Sequence, residues 1–121
     1  LTGLKHYEEA TGDKRVEQAI IRGARFLIND MWVPQAKAFR YTSCPASEVM
    51  AGLNFLLFDG IAYAHQRTGD PRMRQVLLEG AGSALEGMRG LGKGFTQYTR
   101  VAPSFIGYLD RLQEAGGANL R

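Results

Sequence analysis

The stretch Tyr7-Glu8-Glu9-Ala10-Thr11-Gly12-Asp13-Lys14-Arg15 returns further along the chain as Tyr63-Ala64-His65-Gln66-Arg67-Thr68-Gly69-Asp70-Pro71-Arg72. The common element, Thr-Gly-Asp-x-Arg, recurs at a spacing of 57 residues. The same shift pairs Gly3 with Gly60 and Gly117, Gln18 with Gln75, and Gly23-Ala24 with Gly80-Ala81. It also pairs Met31 with Met88, Tyr41-Thr42 with Tyr98-Thr99, and Ser47 with Ser104, without a gap. A fixed period of this length is the mark of a repeat architecture in which each unit is one supersecondary element. The units run from about 3 to 59 and from 60 to 116, with the whole chain forming a single domain.

Each Thr-Gly-Asp turn reads as the junction of two helices. Glycine closes the first helix in the left-handed conformation. Asp13 and Asp70 then stand at the N-cap of the second, where a carboxylate accepts free backbone amides. Pro71 follows at the first helical position, where its missing N–H costs little. Beyond the turn, Val16, Ile20, Ala24, Leu27 and Met31 fall at helical spacing between Glu17, Gln18, Arg22, Arg25 and Asn29, and Met73, Leu77, Ala81, Ala84 and Met88 repeat the stripe. Both segments are amphipathic helices with one wet face.

The stretch from about Ser47 to Arg67 is different. Val49, Met50, Leu53, Phe55 to Phe58, Ile61, Ala62 and Tyr63 make it apolar nearly all round, which predicts a helix enclosed by protein. A counterpart is expected from about Ser104 to Ala115, and Leu4 to Ala10 reads as the end of another such helix. Apolar helices alternating with amphipathic ones predict an all-α fold, a helical-hairpin array with two layers. The connections Trp32–Ala46 and Arg89–Pro103 read as long loops.

The tyrosine, Thr-Gly-Asp, basic residue and amphipathic helix together resemble the hairpins of six-hairpin (α/α) toroids, a fold shared by glycoside hydrolases, polysaccharide lyases and sugar epimerases. The resemblance covers nearly the whole chain and implies a partial (α/α) toroid. Six units would need roughly 340 residues, about three times the length here. The chain departs from the pattern at Ala115-Gly116-Gly117, where a third Thr-Gly-Asp is missing. The resemblance implies activity on carbohydrate, as a lyase or hydrolase of acidic saccharides. The alternative is a non-catalytic module that binds a saccharide or a protein partner.

In such a ring the long loops and the inner-helix N-termini gather at one mouth, which favours anionic ligands. The loops are aromatic and basic, with Trp32, Lys37, Phe39, Arg40 and Tyr41 in the first and Lys93, Phe95, Tyr98 and Arg100 in the second. Aromatic faces stack on sugar rings, while arginine pairs with carboxylates. Trp32, Arg40, Tyr41, Tyr98 and Arg100 are therefore the expected substrate contacts, although the tyrosines also suit a role as packing anchors. A hydrolase normally sets two carboxyl groups across the scissile bond. No acid stands between Met31 and Ser47 or between Gly87 and Leu109, and Glu48 is the acid nearest the expected mouth. Glu48, Tyr41 and Tyr98 are the candidate catalytic residues. A tyrosine base would need its pKa lowered by cations such as Arg40 or Arg100, and Glu48 also suits charge stabilisation at a helix N-terminus.

Other chemistry is poorly supported. Cys44 is the single cysteine, so a disulfide within the chain and a cysteine zinc site are excluded. His6 and His65 lack partners at metal-ligand spacing, so no metal or other cofactor is expected; both histidines suit helix C-terminal cations or packed polar groups. Asp59 and Asp110 lie well down the apolar helices. The glycines from Gly80 to Gly94 suit close helix contact and a loop rather than a phosphate cradle. The net charge of +3 is spread without a basic run, so neither nucleic acid nor a membrane is an expected partner. The expected partners are an oligo- or polysaccharide and further copies of the chain, because an open array leaves cut core surfaces at its ends. The 121-residue chain by itself is expected to give no turnover on uronate polymers in an absorbance assay for unsaturated products; robust turnover would show that its catalytic set is complete.

Overall fold

The computed structural model describes residues 1–88 and 92–118. It is mostly helical: α1 (Thr2–Thr11), α2 (Lys14–Phe26), α3 (Asn54–Thr68), α4 (Pro71–Met88), α5 (Gly92–Thr99) and α6 (Ala102–Ala118), with a small antiparallel ribbon of β1 (Trp32–Val33) and β2 (Ala38–Phe39).

The two Thr-Gly-Asp turns have the same geometry. Gly12 and Gly69 sit at φ 66° and 67°, where a Cβ would be strained. Each glycine amide donates to the carbonyl four residues back, Gly12 to Glu8 and Gly69 to His65, both at 2.7 Å. The hydroxyls of Thr11 and Thr68 donate to the carbonyls of Tyr7 and Ala64 at 2.8 Å. Asp13 Oδ1 then accepts the Arg15 amide and Asp70 Oδ1 the Arg72 amide, both at 2.9 Å. These bonds satisfy helix-end groups that would otherwise lack partners, as the sequence predicts.

Helix α3 is the element on which the others pack. It meets α1, α2, α4, α5 and α6, and every residue from Phe58 to Ala64 is buried. Its Phe55 and Phe58 join Phe105 in a cluster of edge and tilted rings, with Phe58 and Phe105 centred 4.7 Å apart. Ile21, Ile28, Met73, Val76 and Leu77 extend this core from α2, the turn that follows it and α4.

Three boundaries differ from the sequence expectation. Helix α3 begins at Asn54, after a single 3-10 turn at Ala51–Leu53, and not near Ser47. The residues before it pair in extended form with the end of β2: the Tyr41 amide donates to Glu48 O at 2.8 Å and the Met50 amide to Phe39 O at 3.1 Å. Second, α2 gives way at Leu27–Met31 to one wider turn that leads into β1. Third, the stretch from Arg89 to Pro103 is not a simple loop, because it contains α5. Two glycines oppose a helix there, and the buried Tyr98, its ring 6.4 Å from Phe55, anchors it to the core. Residues 89–91 and the side chains of Lys93 and Phe95 lie outside the described ones.

Asn54, fully buried, ties the ribbon to the start of α3. Its Oδ1 accepts the Phe39 amide at 3.2 Å and its Nδ2 donates to Lys37 O at 3.4 Å. Helix α4 approaches closely through its glycines: a Cβ on Gly80 would meet Phe58 and Trp32, and one on Gly87 would lie 2.5 Å from the Gly52 nitrogen. Gly82 faces open space. Gly87→Ala is therefore expected to destabilise the chain by about 1–3 kcal/mol, because backbone must move. Gly82→Ala is expected to stabilise it by about 0.5–1 kcal/mol through helix propensity. Chemical denaturation followed by circular dichroism checks both, and equal effects would refute the contact at Gly87.

Candidate functional site

Two regions compete for a functional role: the ribbon and its flanks, where the sequence places most candidates, and a cleft between α1, α3 and α6. In the first, the candidates point different ways. Trp32 is buried with its ring edge-on to Phe39 at 5.0 Å. Phe39 is buried as well. Trp32 therefore has little surface to offer a sugar and acts as a packing anchor. Tyr98 is also buried, and its burial pushes the hydroxyl pKa up. A lyase base needs the opposite shift, and the structure places Tyr98 in the core. Tyr41 is 63% exposed. Arg40 is half-buried and donates to the Asp30 carbonyl at 3.3 Å. Glu48 is exposed, but it precedes α3 by more than a turn and so does not stabilise that helix end. Cys44 is free and exposed.

The cleft has a volume of about 420 Å³ and is lined by Thr2, His6, Asp59, Arg100, Val101 and Ser104. Arg100 and Val101 also line a neighbouring hollow of about 380 Å³ with Leu56 and Thr96. Helical spacing puts Thr2 and His6 on one stripe of α1, and Ser104 lies in the first turn of α6. Arg100 sits in the short link between α5 and α6. That link is held on either side by the buried Tyr98 and Val101, with the Val101 amide donating to Tyr98 O at 3.0 Å.

Asp59 contributes to the cleft wall. It is buried on α3, and its Oδ1 accepts the Lys5 ammonium at 2.8 Å and the Ser104 hydroxyl at 2.6 Å. Lys5 also donates to Ser104 Oγ at 3.2 Å. Burial alone would raise the Asp59 carboxyl. The hydrogen bonds from Lys5 and Ser104, with the Lys5 charge, outweigh it and hold the group below its usual range. Asp59 is thus a fixed anion, suited to accept hydrogen bonds and, with its proton affinity lowered, unsuited either to take up or to donate a proton. Lys5 is committed to it, which leaves Arg100 and His6, both exposed, as the cleft's cationic and polar rim.

Two further ties join the same helices away from the cleft. Tyr63 Oη donates to the buried Glu8 carboxylate at 2.6 Å, and Arg67 lies 3.5 Å from Glu8 and over the Tyr63 ring. Tyr108 Oη is bonded to His65 Nδ1 at 3.0 Å. Burial pushes Tyr108 up to about 12, and burial followed by the Arg74 charge pushes His65 down. Burial and its bond to Tyr108 thus favour His65 as a packed polar group. His6 is exposed and stands 3.5 Å from Glu9, and Asp110 is exposed. No group of three or more potential metal ligands is found among the described residues, and no helix among them is long and apolar enough to cross a membrane.

Sequence reasoning singled out Arg100, which lines the cleft, but missed Lys5, Thr2 and the place of Ser104. The period carried a signal for two of these: Thr2 and Asp59 are 57 residues apart, as are Ser47 and Ser104. No family model, curated protein or solved structure matches the chain.

The depressed Asp59 carboxyl carries a pH dependence. Its folded pKa lies below the unfolded value of about 3.9, so its contribution is complete above that value and is lost as pH falls through the folded pKa. Lys5→Met removes the main lowering cause and leaves burial, which raises the pKa. The variant is expected to be less stable at neutral pH by roughly 2 kcal/mol and to lose less stability below about pH 4 than the parent chain. Urea melts across that range check it; parallel acid limbs would show that Lys5 does not set the Asp59 charge.

Proposed function

We propose that the chain is part of a carbohydrate-active (α/α) toroid, with its saccharide site in the cleft between α1, α3 and α6. The hairpins joined by like-built Thr-Gly-Asp turns support the toroid reading, and the cleft supports the chemistry. The observation that carries the proposal is the Asp59–Ser104 pair, tied to Lys5, in the same cleft lining as Arg100 and His6. A carboxylate, a hydroxyl and an arginine within one concave surface offer the acceptors and donors that sugar hydroxyls need, and arginine adds bidentate capture of a uronate carboxylate.

The division of labour follows from charge. Arg100 holds the anionic group of the sugar. The exposed Ser104 hydroxyl, oriented by its bond to the buried Asp59, accepts hydrogen bonds from sugar hydroxyls. Lys5 neutralises Asp59, so the cleft does not repel an acidic ligand. In either a lyase or a hydrolase reading the group that moves the proton comes from other hairpins. Tyr41, on the ribbon, is not among the residues that line the cleft. A non-catalytic saccharide-binding module is the second reading, favoured by Asp59 being the only carboxyl group among the described cleft-lining residues.

Titration calorimetry with galacturonate oligomers and with neutral gluco-oligomers tests the proposal. The uronate oligomers are expected to bind more tightly, and Arg100→Glu to weaken them at least tenfold, about 1.4 kcal/mol, while leaving the neutral oligomers nearly unchanged. Absence of uronate binding, or an equal loss for both ligands, would overturn it.

A further inference from the structure

Leu56 stands out on α3. Asn54, Phe55 and every residue from Phe58 to Ala64 are buried, whereas Leu56 is 36% exposed. It lines the hollow of about 380 Å³ with Thr96 of α5 and with Arg100 and Val101 of the α5–α6 link. These walls are held from behind. The buried Tyr98 anchors α5 with its ring 6.4 Å from Phe55, and the Val101 amide donates to Tyr98 O at 3.0 Å. All four of these lining residues lie in the middle of the chain, so its own packing shapes the hollow.

Arg100 and Val101 belong to the lining of the cleft as well, and the two sides differ in chemistry. In the cleft Arg100 is accompanied by Thr2, His6, Asp59 and Ser104; in the hollow it is accompanied by Leu56 and Thr96. Arg100 is exposed and forms no ion pair among the described residues, so its guanidinium is free to take an anion. An exposed leucine in a concave wall favours an apolar group, because covering it removes apolar surface from water. A sugar hydroxyl set against Leu56 would lose its water without gaining a partner from that side chain. The volume of the hollow is at the small end of the range for ligand pockets and admits a ring-sized group.

We infer that the hollow is a second subsite, which takes an apolar substituent carried by the acidic sugar whose carboxylate Arg100 holds. The ligand class is then a uronate bearing an aryl, alkyl or acyl group. Arg100 is the hinge of this arrangement, because it alone among the polar lining residues serves both hollows. The sugar hydroxyls lie on the Ser104 side of the guanidinium and the apolar group on the Leu56 side. The inference rests on the saccharide reading of the cleft, but it adds a separate requirement, since a plain uronate needs only the cleft.

Titration calorimetry with galacturonate, its phenyl glycoside and phenyl galactoside tests it. The parent chain is expected to bind the phenyl galacturonide at least tenfold more tightly than galacturonate, about 1.4 kcal/mol. Phenyl galactoside, which has no carboxylate, is expected to bind more weakly than the phenyl galacturonide by a similar factor. Leu56→Ser is expected to bring the phenyl galacturonide down to the level of galacturonate, and Leu56→Met, which keeps the apolar surface, to retain the advantage. A phenyl galacturonide that binds no better than galacturonate, or an advantage that survives Leu56→Ser, would overturn the subsite while galacturonate oligomers still bound in the cleft. Failure of the oligomers themselves would overturn the saccharide reading and the subsite with it. Circular dichroism checks folding. Should Leu56→Ser lose helicity, Thr96→Asp places a charge in the same hollow from an exposed position on α5 and is expected to remove the advantage.

Discussion

A helix buried from Phe58 to Ala64 carries the carboxylate of Asp59 into the interior, and an isolated charge there would cost several kcal/mol. The chain meets that cost with Lys5 from α1 and Ser104 from α6. Three helices distant in sequence are thereby held at one point. The cleft exists because they converge there, and its charge is set by the same bonds. If Lys5 were absent, the burial of Asp59 would favour its neutral form, and the cleft wall would lose its fixed anion.

The same constraint is met elsewhere on α3 and its neighbours. Tyr63 reaches Glu8 on α1, and Tyr108 of α6 reaches His65 on α3. Glu8 and His65 are equivalent positions in the two units, and each pairs with a tyrosine from the next apolar helix. No buried side-chain nitrogen or oxygen among the described residues lacks a partner. Apolar packing supplies the driving force for burying α3, while these polar ties specify which helix lies against which and in what register.

The ribbon shows how some aromatic residues of an aromatic and basic connection serve packing. Trp32 and Phe39 are used to roof the core beside Gly80, and Asn54 pins their backbone to α3. Tyr98 is used in the same manner to hold α5. Its recurrence with Tyr41 at the repeat spacing did not carry a shared role, since one tyrosine is buried and the other largely exposed.

Local chemistry was legible in the residues themselves. The Thr-Gly-Asp turns, their caps, the amphipathic α2 and α4 and the enclosed α3 follow from glycine's left-handed freedom, carboxylate capping and hydrophobic periodicity, all of which act within a few residues. The start of α3 at Asn54, the helix α5 and the ribbon were decided by tertiary structure, because extended pairing of Phe39 and Tyr41 with Glu48 and Met50, and the burial of Tyr98, outweigh local preference. The cleft was decided there too. Lys5, Asp59 and Ser104 are separated by tens of residues, and no spacing rule relates a lysine on one helix to a carboxylate two helices later until packing brings them within 3 Å of each other. The repeat period, by contrast, was determined by the sequence alone, and it supplies the frame in which each buried residue has an equivalent whose exposure can be compared.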